Sequence, residues 1–230
     1  MKKLISCDLQ TCFMCQSALK DWLPAIASHK VNFIAKKGEV IIKEGDPVTG
    51  VYFVNSGNVK VHKRWGDKEL ILRFANTSKI FGHRGIGSNT SFYPISATAL
   101  ETTSLCFVPI DFFISTVKVN HDLAFKLLMF YADELQDSEK KMRELALMSV
   151  KSRLAVSLLS LSQQFGLTDE GCVNIDLSRQ DLAAYAGATY ETVFRTMNDM
   201  VSAQLITLEG KKIRISSTEG LEKLALESSV

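Results

Sequence analysis

Residues 177–200 read LSRQDLAAYAGATYETVFRTMNDM, and this stretch decides the fold. Ser178 is placed to cap a short helix, with Asp181 three residues on as its capping-box partner. Leu182, Ala183 and Ala186 give that helix a small apolar face. Gly187 follows where the chain must turn sharply, and glycine tolerates positive φ at little cost. Thr189 then caps a second helix, whose Val193, Met197, Met200 and Val201 fall at i, i+4, i+7 and i+8 as an apolar stripe. Tyr190, Glu191, Arg195 and Asn198 lie on its other face. Two short helices joined by a glycine turn, the second with a polar outer face, form the helix-turn-helix pattern. In DNA-binding examples that face enters the major groove.

Working outward, residues 205–208 (LITL), a turn at Glu209-Gly210 and residues 212–215 (KIRI) predict a small wing. Upstream, Ser149 is placed to cap a helix through SVKSRLAVSLLSLSQQFG, which opens the C-terminal domain. Between residue 111 and about residue 148 there is no Gly and no Pro, and helix formers dominate. There Ala124, Leu128, Tyr131, Leu135, Ser138, Met142 and Leu145 step alternately by four and three, an a/d heptad seam broken only by Ser138. That seam predicts self-association as a parallel two-fold pair through Leu128, Tyr131, Leu135, Met142 and Leu145, while the Leu127/Phe130 side packs onto the chain's own β-domain. Residues 31–108 are strand-rich. Short runs at 40–42, 51–54, 59–61 and 70–72 are punctuated by Gly38, Gly45, Gly50, Gly57 and Gly66, as in an antiparallel roll. A helix is expected around residues 17–27.

The chain therefore reads as an α+β protein in three parts: an N-terminal antiparallel β-roll over 1–110, a long dimerisation helix over 111–148, and a winged helix-turn-helix over 149–230. Its 46% hydrophobic and 23% charged composition is that of an ordinary globular protein. No apolar run approaches the ~20 residues that span a bilayer, and the apolar part of MKKLISC is too short for a signal peptide. Five cysteines, three of them crowded near the N-terminus, do not make a disulfide framework, so a cytoplasmic setting with no membrane partner is expected. Net charge is +2, and from Lys151 onward eight Lys/Arg face ten Asp/Glu. Any affinity for DNA must then come from local placement of charge. No nucleophile–base pair, phosphate loop or carboxylate dyad points to an enzyme.

With roll, heptad helix and helix-turn-helix in order, the chain resembles the Crp/Fnr family of bacterial transcription regulators. The resemblance rests on KKGEVIIKEGDPVTGVYFVNSGNVKV (36–61), similar to that family's glycine-spaced, cyclic-nucleotide-binding-like double-stranded β-helix. It rests equally on residues 177–206 and the wing EGKKIRI (209–215). It implies a homodimer that binds a palindromic promoter site on double-stranded DNA, answers an effector, and has RNA polymerase as a partner. Glu191 and Arg195 match positions that read bases in the family. A carboxylate accepts from cytosine N4, and a guanidinium pairs bidentately with guanine. The competing reading is a surface Glu–Arg pair worth only tenths of a kcal/mol. Tyr190 stands where many relatives carry arginine. Arg179, Gln180, Thr189 and Thr192 are expected at phosphates, with Lys211 and Lys212 reaching the backbone from the wing.

The family's cyclic-nucleotide pocket uses a Gly-Glu pair and an Arg followed by Ser or Thr. Here the first pair reads Gly82-His83, and the arginine position falls near Tyr93-Pro94-Ile95, short of Ser96. A buried phosphate without a cation is expensive, so cyclic AMP is not the expected effector unless Arg84 is displaced into the role. Gly82, His83, Arg84, Tyr93 and Ser96 remain the effector-pocket candidates. Cys7, Cys12 and Cys15, with Cys106 in ALETTSLCFVP, resemble the oxygen-sensing Fnr branch, where three N-terminal cysteines and one from the roll bind a [4Fe–4S] cluster. The spacing differs from that branch, and a zinc site or free, buried thiols are the other readings of the same residues. A different class of function also stays open: a ligand- or redox-sensing module acting through a protein partner, its operator affinity lost.

Overall fold

Apolar alternation in the first half of the chain builds two facing antiparallel sheets with helices over the outer face of one. In the computed structural model the described residues are 12–87 and 91–226. The strands are β1 (Val31–Ala35), β2 (Val40–Ile42), β3 (Gly50–Ser56), β4 (Val59–Trp65), β5 (Lys68–Ala75), β6 (Ile80–Phe81), β7 (Ser96–Ala99) and β8 (Thr103–Pro109). They form sheets of order β1-β8-β3-β6 and β2-β7-β4-β5. Strand period two assigns each side chain to a face. On β3, Val54 points between the sheets with Phe81, Leu105 and Ala97. Val51 and Phe53 point outward, to a second core with Cys106 and Val108 of β8. Phe53 pairs with Cys106 and Val54 with Leu105, so the register keeps both alternations in phase.

Helices close over that outer core. The helix expected at 17–27 is instead α1 (Leu23–His29), preceded by 3₁₀ turns at Cys15–Ser17 and Lys20–Trp22. Pro24 explains the late start, because it lies in the first turn, where its missing N–H costs nothing. The single helix expected from 111 to 148 is two: α2 (Ile110–Val119) and α3 (His121–Leu147). The break is at Asn120, buried and extended (φ −115°, ψ 92°). Its amide donates to the Thr116 carbonyl at 2.7 Å and accepts the Leu19 N–H at 2.6 Å. Asparagine competes with helical backbone for hydrogen bonds, and here that competition ends one helix and starts another. Leu123 and Leu127 of α3 join Ile26 and Phe113 in the outer core, and Phe130 and Tyr131 pack on its edge.

The C-terminal part comprises α4 (Val150–Phe165), α5 (Arg179–Ala186), α6 (Tyr190–Ser202), the β9–β10 hairpin (Ile206–Glu209, Lys212–Ile215) and α7 (Thr218–Leu226). Its core is Leu154, Leu158 and Leu161 of α4, Leu182 and Ala186 of α5, Val193, Met197 and Met200 of α6, and Leu221 of α7, all buried. By compactness the chain divides into Met1–Trp65 with Leu72–Gln136, and Gly66–Ile71 with Asp137–Val230. Among the described residues no helix is long and apolar enough to cross a membrane.

Candidate nucleic-acid interface and sensory core

Both helices of the pair start on the caps read from the sequence. Ser178 Oγ accepts the Asp181 N–H at 2.9 Å and its hydroxyl donates to the Asp181 carboxylate at 2.6 Å. Thr189 Oγ1 accepts the Thr192 N–H at 3.3 Å. Gly187 ends α5 at φ 65°, ψ 42°, and a Cβ there would run into the Leu145 side chain. This corner of the chain therefore requires glycine for both its dihedral and its space.

On α6, Val193, Met197 and Met200 are buried as read, but Val201 is exposed and Thr196 takes its place on the inner face. A hydrogen bond from Thr196 Oγ1 to the Thr192 carbonyl, 2.8 Å, lets that polar residue face the core. Tyr190, Glu191, Phe194, Arg195 and Asn198 are exposed. Among the described residues, no ion pair or hydrogen bond ties down the Glu191 or Arg195 side chain.

The flanking cations are more occupied than the sequence implied. Arg179 has a task within its own unit: its guanidinium donates to the Gly210 carbonyl at 3.0 Å and the Lys211 carbonyl at 3.2 Å, holding the wing turn against α5. Lys212 pairs with Glu170 at 3.0 Å, while Gln180 and Lys211 are exposed. Arg153 of α4 went unnoticed in the sequence. Its guanidinium donates to Met148 and Leu145 at the end of α3 (2.9 and 3.5 Å) and to Ala186 and Gly187 at the end of α5 (3.0 and 3.1 Å). A cation at two helix C-termini satisfies carbonyls that have no helical partner. Only the fold brings those two ends to one arginine.

In the roll, the effector-pocket candidates are spent on the structure. Arg84 does not stand free for a phosphate. Its Nη2 and Nε both donate to Glu134 Oε2 of α3, at 2.7 and 3.1 Å. Arg73 Nε lies 2.9 Å from Glu134 Oε1, and His83 Nε2 lies 3.6 Å from Oε2. Burial alone would raise the Glu134 carboxyl, but the contacts with His83, Arg73 and Arg84 outweigh it and hold the carboxyl down at about 2. The His83 ring, 1% exposed, is lowered as well, but here burial is the cause and outweighs the raising effect of Glu134. Tyr93 is buried, and its hydroxyl accepts the Thr49 and Gly50 N–H groups (3.2 and 3.1 Å) and donates to the Gly50 carbonyl (2.7 Å). Ser96 Oγ accepts the Glu44 N–H at 3.0 Å. Gly82, at φ 83°, makes the turn before His83.

The heptad seam is half outward and half inward. Leu128, Leu135 and Met142 are 60–62% exposed, and Phe125 and Met129 extend the same stripe. Tyr131 is not on it: its hydroxyl donates to the His83 carbonyl at 2.7 Å and its ring packs on the outer core. Leu145 is likewise turned inward, toward Gly187. A 3.6-residue helix drifts against a strict seven-residue repeat, so one heptad column serves the chain's own core.

Cys12, Cys15 and Cys106 are buried in one apolar cluster, although the last is far from the others in sequence. Cys7 lies outside the described residues. Thiolates suit iron–sulfur clusters and zinc alike. Four thiolates on one zinc ion would lie about 4 Å apart, and these three do not gather that closely. Among the described residues, Glu170, Cys172 and Glu209 form the group of three ligand-type side chains with donor atoms within 4.8 Å of one another. Its carboxylates already pair with Lys212 and Arg214.

Comparison with known proteins gives this geometry a family. Residues 34–120 match the cyclic nucleotide-binding domain and residues 152–224 the Crp-like helix-turn-helix domain. The transcriptional activator protein FnrA of Stutzerimonas stutzeri is 31% identical, over 83% of this chain and 78% of its own. The chain belongs to the Crp/Fnr family. It is a DNA-binding transcription regulator with an effector-sensing domain, in a family of regulators rather than enzymes. The CRP-like cAMP-activated global transcriptional regulator of Mycobacterium tuberculosis is 30% identical, over 82% of this chain and 85% of its own. The structure of FixK2 from Bradyrhizobium japonicum superposes with a TM-score of 0.76 at 26% identity, covering 87% of this chain and 99% of that one. The antiparallel roll, long helix and winged helix-turn-helix are thus the family's architecture.

Proposed function

We propose that this Crp/Fnr regulator acts as a homodimer on a palindromic promoter site, with α6 in the major groove and RNA polymerase as its partner at the promoter. The observation that carries the reading is the two-sided character of α6. Val193, Met197 and Met200 are buried, while Glu191 and Arg195 stand exposed one turn apart. Glu191 and Arg195 are the base readers. Tyr190 stands beside them, Thr189, Thr192 and Gln180 meet phosphates, and Lys211 reaches the backbone from the wing. Arg179 and Lys212 shape the wing instead, Arg179 by holding its turn. The exposed stripe Leu128–Leu135–Met142 supplies the two-fold contact, and residues 1–110 and 149–230 are its sensory and DNA-binding domains. Selection of bound fragments from random DNA, followed by titration against salt, tests this. A palindromic site bound with an affinity that falls steeply with salt is expected. Binding no tighter to the selected site than to bulk DNA would overturn it and favour the partner-protein reading.

On the input side, cyclic AMP is not the effector in this reading, because Arg84 and Tyr93 are already committed within the roll. The convergence of Cys12, Cys15 and Cys106 in one cluster supports a redox input instead. With Cys7 these thiols would hold an iron–sulfur cluster, whose chemistry is oxygen-labile electron transfer. Iron, sulfide and zinc analysis of anaerobically purified protein tests it, and metal-free protein would end it.

A further inference from the structure

Phe194 is the residue on the recognition helix that hydrogen-bond chemistry leaves without a task. It is 50% exposed, on a helix whose inner apolar residues Val193, Met197 and Met200 are at most 1% exposed. It is not spare core. Its ring stacks on Tyr190, itself 46% exposed, with centroids 6.1 Å apart and planes 15° from parallel. Tyr190 and Phe194 therefore form one i, i+4 row on the outer face, and Glu191 and Arg195 form a second row beside it.

The two rows have different chemistry. Glu191 and Arg195 address donors and acceptors on base edges. Phe194 has neither donor nor acceptor, and in the major groove the one apolar group a base presents is the 5-methyl of thymine. Four residues along a helix rise about 6 Å, a little under two base steps of about 3.4 Å, so a stacked pair of this length spans two to three consecutive base pairs. Stacking also removes freedom from both rings before any DNA arrives, which lowers the ordering cost of the contact.

We propose that the stacked Tyr190–Phe194 pair reads thymine 5-methyl groups at neighbouring positions of the half-site, beside the base pairs contacted by Glu191 and Arg195. This rests on the reading of α6 as the groove-entering helix. The pair specifies thymine over cytosine at a place where no hydrogen bond from the protein does so.

The test uses the full-length protein and the DNA site selected as above, with each thymine of the half-site replaced in turn by uracil, which removes the methyl group and nothing else. Wild-type protein is expected to bind roughly fourfold more weakly for each contacted methyl removed, the effect of burying one such group. The sensitive positions should be one or two thymines within three consecutive base pairs. Phe194→Ala should bind the thymine site more weakly and lose its sensitivity to uracil at those positions, with an unchanged thermal melting profile. Wild-type binding that ignores uracil at every position would overturn the proposal while leaving DNA reading by α6 intact, and so would a Phe194→Ala protein with undiminished uracil sensitivity. Failure to select any specific site would overturn both.

Discussion

Replacing Glu134 by glutamine should be among the costlier single-atom changes in the sensory unit. The carboxylate sits between Arg73 at 2.9 Å and Arg84 at 2.7 Å, with only 12% of its side chain exposed. Its carboxyl is held at about 2 against an ordinary 4.5. At 1.36 kcal/mol per pH unit this favours the folded, ionised form by about 3 kcal/mol at neutral pH. Because the folded pKa is depressed, that stability is fully present above about pH 4.5 and is lost as the pH falls toward 2. Glutamine keeps the shape but removes the charge facing two guanidinium groups, so Glu134→Gln should lose most of the 3 kcal/mol at pH 7. Urea unfolding followed by tryptophan fluorescence and far-UV circular dichroism, run in parallel on wild type and variant from pH 7 to pH 3, measures it. The gap between the two proteins should be widest at pH 7 and begin to close below about pH 4.5. A gap under ~0.5 kcal/mol at pH 7, or one that does not narrow on acidification, would refute the reasoning that Glu134 is the counterion of Arg73 and Arg84.

Three further outcomes follow from the geometry. Arg195→Ala should weaken binding to the selected site by roughly 1–3 kcal/mol and relax preference at one base pair, read by anisotropy against single-base variants of the site. Gly187→Ala places a side chain at φ 65° and against Leu145. It should destabilise the C-terminal unit by about 1–2 kcal/mol or more, visible as a lower melting temperature. Leu135→Glu puts a charge in the middle of the exposed α3 stripe and should shift sedimentation from dimer to monomer at micromolar concentration, whereas Tyr131→Phe should leave the dimer intact.

The helix pair was legible because its signals are local. A cap residue, a glycine at the turn and a 3.6-residue apolar period act within a few residues, and Ser178, Thr189 and Gly187 each do in three dimensions what the sequence implies. The β-runs were legible for the same reason. Helix ends set by distant partners were not. Asn120 is a weak local hint of a break, since asparagines also occur inside helices, and one of the two bonds that hold it extended comes from Leu19, about a hundred residues away. Phe194 was passed over because a lone aromatic beside a buried valine carries no periodic signal of its exposure.

By itself, then, the sequence determined the order of roll, long helix and winged helix-turn-helix, and put Glu191 and Arg195 on the outward face of α6. Those features depend on spacing along the chain, and spacing is what a sequence records. Only the tertiary structure decided which charges remained free for partners. Arg84 and Arg179 look equally available in the sequence, yet one is neutralised by Glu134 and the other holds the wing. The physical reason is that a side chain's availability depends on what approaches it in space. Burial then sets the cost of leaving a charge unpaired, so whichever partner the fold brings near takes the charge.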